Sequence, residues 1–144
     1  MTESVRTILV AHDGSEGAAH ALRFAAGLAR QAGARLVVVH AWSPLDDLGK
    51  HKHHADFRQL LAEAFATLAD EWCRDAIDAG VDVEPRIVED LPIPGIVGAA
   101  RDADADLIVC GTRGRSRVAE LVLGSVARGL PEKAHLPVTI VPPP

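Results

Sequence analysis

Apolar runs of strand length alternate along this chain with stretches in which apolar residues recur every three or four positions. TILVAH (7–12) reads as a buried strand, followed by DGS (13–15) and a helix from about Glu16 to Ala32. Ala18, Leu22, Ala25 and Ala29 share one face of that helix, and Gly33 supplies its stop. RLVVVHA (35–41) is a second buried strand. A polar stretch to His54 leads into a long amphipathic helix ended by Gly80, with Phe57, Leu61, Ala64, Phe65, Leu68 and Trp72 as its expected core stripe. VDVEPRIV (81–88) alternates like a strand, but Pro85 cannot donate to a ladder, so an edge position is expected. A helix with Pro94 near its start turns Ile93, Ile96, Val97 and Ala100 inward. DLIVC (106–110) is a further buried strand, and PVTIV (137–141), short and flanked by prolines, closes the pattern as another edge.

Strands alternating with helices predict a parallel sheet covered on both faces, an α/β domain occupying residues 1–144. The first, second and fourth strands are apolar throughout and belong inside; the third and fifth belong at the edges. Placing consecutive strands side by side wherever possible gives the order 3-2-1-4-5. The winding then reverses between the first and fourth strands, and ligands of open α/β sheets bind beyond the carboxyl ends at such a point. In this chain those ends are DGS (13–15) and GTRG (111–114).

The expected ligand position coincides with an anomaly of charge. The chain carries a formal charge of -5, which argues against general affinity for nucleic acid or an anionic membrane. Residues 70–106 hold eleven Asp or Glu against three Arg, yet GTRGRSRVAELVLGS (111–125) concentrates Arg113, Arg115 and Arg117 among three glycines. Glycine lets backbone N–H groups approach an anion closely, and a helix N-terminus adds unpaired donors. A helix starting near Arg117 would run through Gly124, where glycine costs about 1 kcal/mol against Ala. Alternatively 115–123 is a loop folding over a ligand, with Ser125 capping a helix that begins at 124. A flexible surface loop with solvated arginines remains the competing reading. No Lys follows these glycines as a P-loop needs, and the first strand does not lead into G-x-G-x-x-G.

The spacing Gly111-x2-Gly114-x9-Gly124-Ser125 resembles the ATP-binding signature of the universal stress proteins. TILVAHDGSEGAAHAL, ADLIVCGTRG and LGSVA…HLPVTIV are similar to that family's opening, fourth strand and ending, so the resemblance spans essentially the whole chain. It implies a flavodoxin-like fold and ATP with its triphosphate on residues 111–125, through Gly111, Arg113, Gly114, Gly124, Ser125 and Val126. It implies that Asp13 contacts ribose or adenine, that backbone near Ala11 and Ala41 lines the adenine pocket, and that Mg²⁺ or Mn²⁺ bridges the phosphates. It further implies a homodimer through Val138, Thr139, Ile140 and Val141 and a protein partner of unnamed kind. Glu89-Asp90 stands where many relatives have a Gly and a short turn, and Pro131 interrupts the last helix, where a kink or early stop is expected.

Other polar residues carry blander expectations. His51, His53 and His54 lack fixed partners at metal-ligand spacing and read as a polar loop. His12 and His40, at strand ends, read as satisfied polar groups, and Trp42 as a packing anchor. Cys73 and Cys110 are 37 positions apart and suit buried thiols in a reducing cytoplasm. No residue declares itself as the positioned base that phosphoryl transfer needs, so binding is the expectation rather than turnover. The alternatives are a slow hydrolase using Asp13 or Glu89 with a metal, and a dimeric interaction module without nucleotide.

Overall fold

A computed structural model of the chain describes residues 4–43, 54–113 and 123–144. The elements run β1 (Thr7–Ala11), α1 (Glu16–Ala32), β2 (Arg35–Trp42), α2 (His54–Asp78), β3 (Val83–Glu89), α3 (Pro92–Asp102), β4 (Leu107–Gly111), α4 (Ser125–Lys133) and β5 (Val138–Val141). All five strands are parallel in one sheet of order β3-β2-β1-β4-β5, as the pattern predicts. Pro85 lies opposite Val38 on an edge strand, where its missing N–H leaves no ladder bond unmade.

Strand alternation sorts the core into two halves. Ile8, Val10, Leu36, Val38 and Val109 face α1 and α2; Leu9, Ala11, Val37, Val39, Ile108 and Cys110 face α3 and α4. With so few aromatics, small side chains let the helices lie close on the sheet. In α1 the expected face, Ala18, Leu22, Ala25 and Ala29, is buried together with Ala21. Ile96 and Ala100 of α3 are buried, with Ile93 and Val97 partly so.

The stripe expected along α2 needs correction. Phe57, Ala64 and Leu68 are exposed, while Leu61, Phe65 and Trp72 are partly buried and Ala69, Cys73 and Ala76 are fully buried. Phe65 and Trp72 do turn inward, onto His40, Trp42 and His12, but the fully buried positions belong to Ala and Cys, which permit the closest approach to the sheet. The start of the last helix also differs: Leu123 and Gly124 are not helical, and α4 begins at Ser125 with Gly124 as its N-cap. Gly124 therefore precedes the helix, and Ser125 is its first residue rather than its cap. Pro131 sits inside α4, which stops two residues later at Lys133. Among the described residues no helix is long and apolar enough to cross a membrane.

Candidate functional site

At the carboxyl ends of β1 and β4 the sheet opens into a cleft of about 260 Å³. Its apolar wall consists of Ala11, Val39, Ala41, Ile96 and Ala127, and its polar mouth includes Asp13, Thr112, Arg113 and Ser125. The turn after β1 is tightly held. Ser15 Oγ accepts from the Ala18 N–H at 3.1 Å and caps α1, while Asp13 Oδ1 accepts from the Ser15 N–H at 3.0 Å. Gly14 adopts φ +86, which a β-carbon would oppose. Its N–H donates to His12 Nδ1 at 3.0 Å.

Across the cleft the chain leaves β4 and returns to α4 at one point. The Gly124 N–H donates to the Thr112 carbonyl at 2.7 Å, so the two ends of the Gly/Arg stretch are tied. A β-carbon on Gly111 would lie 3.1 Å from the Gly17 carbonyl oxygen, and one on Gly17 would lie 3.2 Å from that of Arg113. The first turn of α1 thus rests directly on the backbone at the end of β4.

Three helices begin around this cleft, and their first turns differ. In α1 Ser15 supplies a side-chain cap. In α3 Pro92 and Pro94 carry no N–H. In α4 Gly124 offers no side-chain acceptor, and among the described residues none caps this first turn. Of the residues expected to bind nucleotide, Ala11, Asp13, Ala41, Gly111, Arg113, Gly124, Ser125 and Val126 line the cleft. Gly114, Arg115, Arg117, His51 and His53 lie outside the described residues, as does the His54 side chain. Val39, Pro92, Ile96, Cys110 and Ala127 also line it. Sequence reading passed over them because, by pattern, they are ordinary core residues.

The histidines depart from expectation in one respect. His40 Nδ1 donates to the His12 carbonyl at 2.9 Å. His12 stacks on Trp72 with ring centres 4.1 Å apart and is only 4% exposed. Its Nδ1 accepts from Gly14, which places the proton of the neutral ring on Nε2, and Nε2 has no partner among the described residues. Burial pushes this imidazole down to about 4, against the pull of the Asp13 carboxylate. Burial likewise raises the thiols of Cys73 and Cys110 to about 11, so neither is a thiolate at neutral pH. Trp42 is buried against Phe65, an anchor as expected. Glu89 does not line the cleft; it pairs with Arg58 of α2. Among the described residues no three His, Cys, Asp or Glu gather as a metal centre.

Residues 4–142 match the model of the universal stress protein family. The chain belongs to that family. A universal stress protein from Thermus aquaticus is 35% identical over 94% of this chain and 98% of its own length. A universal stress protein from Archaeoglobus fulgidus, solved in complex with dAMP, superposes with a TM-score of 0.67 at 29% identity, covering 97% of this chain and 98% of the other. Another, solved with cAMP, gives 0.72 at 28% identity over 96% and 98%.

Proposed function

We propose that this universal stress protein binds ATP in the cleft between β1 and β4 and acts as a nucleotide-dependent regulator of a stress response. The observation that carries the proposal is the α4 N-terminus, which has no side-chain cap and stands at the mouth of an apolar slot. Unpaired first-turn N–H groups and the positive end of a helix dipole form a ready anion site. The slot of Ala11, Val39, Ala41 and Ile96 takes the adenine, and Asp13 accepts from the ribose hydroxyls. Arg113 adds positive charge near the phosphates. A volume of about 260 Å³ lies just under the roughly 300–1,000 Å³ usual for small-ligand pockets, as suits the nucleoside part with the phosphates at the open mouth. Relatives solved with cAMP and dAMP support the ligand class.

A divalent cation would take its ligands chiefly from the phosphates, since Asp13 is the one carboxylate among the described residues that line the cleft. With Glu89 engaged away from the cleft, a hydrolytic role has less support than binding. Isothermal titration with ATP tests the proposal. Asp13→Ala should weaken ATP by roughly ten- to a hundredfold, the worth of a charged hydrogen bond. Absence of any ATP heat in the parent protein would overturn the reading, as would unchanged affinity in the variant.

The edge position of β5 supports a second element of the proposal, a homodimer formed through Val138, Thr139, Ile140 and Val141. Among the described residues this strand pairs only with β4, on its inner side, and an edge so placed can pair with its copy.

A further inference from the structure

The turn that presents Asp13 to the β1–β4 cleft rests on the residue before it. His12 follows β1 and is tied to β2 twice. Its N–H donates to the Val39 carbonyl at 2.8 Å, and its own carbonyl accepts from His40 Nδ1 at 2.9 Å. Its side chain turns toward α2 and stacks on Trp72, with ring centres 4.1 Å apart and planes 11° from parallel. From there Nδ1 accepts from the Gly14 N–H at 3.0 Å, which grips the peptide group joining Asp13 to Gly14. Gly14 stands at φ +86, a conformation that glycine permits but does not prefer, so its backbone alone leaves this peptide free to turn. Gly14 is also exposed, and water could accept from its N–H in many orientations. The fixed ring accepts in one. The next N–H along, that of Ser15, holds Asp13 Oδ1 at 3.0 Å, so the orientation of the carboxylate follows that of the turn.

The chemistry of the ring points the same way. Filling the space against Trp72 asks only for a flat ring, and a hydrocarbon would do so without stranding Nε2–H, which has no partner among the described residues. What imidazole adds is the acceptor at Nδ1, and burial holds the ring neutral with that lone pair in place. We propose that His12 is a positioning residue of the cleft, a role that rests on the reading of the cleft as an ATP site. Locked between β2 and Trp72, it fixes the Asp13–Gly14 peptide and so sets the Asp13 carboxylate where it reads the ribose hydroxyls. A residue of α2 that does not line the cleft thereby supports sugar recognition within it.

ATP and 2′,3′-dideoxy-ATP differ in the hydroxyls from which Asp13 accepts. Titration calorimetry with both ligands measures sugar reading as a ratio of affinities, expected at about ten- to a hundredfold in the parent protein. His12→Phe keeps a stacked ring without the acceptor, and should bring that ratio within about threefold of one, chiefly by weakening ATP. His12→Asn sets Oδ1 in the place of Nδ1, and should hold the ratio within about threefold of the parent's. Loss of mere packing would lower both affinities, or the melting temperature, and leave the ratio intact. Hydrogen exchange of the Gly14 amide, followed by NMR in the ligand-free proteins, should be at least about tenfold faster in His12→Phe than in the parent or His12→Asn. A parental ratio retained in His12→Phe, or lost equally in both variants, would overturn the role of Nδ1 while ATP binding stands. Equal exchange of the Gly14 amide in all three proteins, or a ratio near one in the parent, would do the same. A parent that binds neither nucleotide would overturn the reading of the cleft as an ATP site, and the role of His12 with it.

Discussion

His12 combines three constraints in one side chain: a bond that sets the Gly14 turn, a ring stack on Trp72, and a buried proton on Nε2. Its neighbours include the Asp13 carboxylate, which favours the charged ring, and His40, which opposes it, but burial dominates. Because the folded ring titrates near 4 and an unfolded one near 6.5, the unfolded chain binds the extra proton between those values. Stability linked to His12 is therefore complete above pH 6.5 and declines as pH falls toward 4. At about 1.4 kcal/mol per tenfold in proton affinity, the loss is about 3 kcal/mol. Denaturant unfolding of the parent protein and His12→Asn across pH 4–7 should show the parent losing that much more than the variant; parallel curves would refute it. At the same scale, Gly111→Ala should cost about 1–3 kcal/mol, because its methyl meets backbone of α1 that cannot yield as a side-chain tip does. Thermal melting measures it. Sequence alone singled out Asp13 through its place at a strand end, but not the unsatisfied Nε2 of His12, since the Trp72 ring that covers it comes from α2, about 60 positions away.

Among the elements, α4 separates what glycine spacing reveals from what it conceals. The Gly124-Ser125 pair marked a discontinuity, and the structure places that break at the very start of a helix. Its consequence can be tested with a pair of substitutions at the first helical position, where proline is well tolerated. Gly124 already has φ -63 and ψ 165, extended backbone of the kind that precedes proline. Ser125→Ala removes a hydroxyl, while Ser125→Pro also removes one backbone N–H. If the free first turn holds phosphate, Ser125→Pro should bind ATP about tenfold more weakly than Ser125→Ala, with helix content by circular dichroism unchanged. Equal affinities would mean that the α4 backbone does not carry the ligand. In α2 the periodicity correctly gave a helix and half of its inward stripe, Leu61, Phe65 and Trp72, while Phe57, Ala64 and Leu68 lie exposed. Apolar size is a poor guide where helix and sheet pack closely, and Ala69, Cys73 and Ala76 took the buried positions.

For the molecule as a whole, strand order was legible because each strand's composition reports its number of covered neighbours. The runs of β1, β2 and β4 could only sit inside, and Pro85 could only sit at an edge. Less legible was the sorting of the interior into two half-cores, which depends on register rather than composition. An edge strand such as β5 also sets the assembly expected in solution. Light scattering at tens of micromolar should give the mass of a dimer. Ile140→Pro, which removes an outward-facing donor from that edge and leaves the Thr139 N–H in the β4 ladder, should shift it toward monomer. A monomeric parent, or a variant that assembles as before, would exclude pairing through β5.

The bond between the Gly124 N–H and the Thr112 carbonyl has a further consequence for how such a protein can diversify. It closes a ring of chain whose two ends are fixed by the sheet on one side and α4 on the other. Closure entropy rises only slowly with the length of chain enclosed, about 0.6 kcal/mol for each doubling. On closure alone, a change in the length of chain between residues 113 and 123 therefore costs folding only about that much. The length of chain between those ties can thus vary at small cost while the sheet and α4 that hold its ends stay as they are.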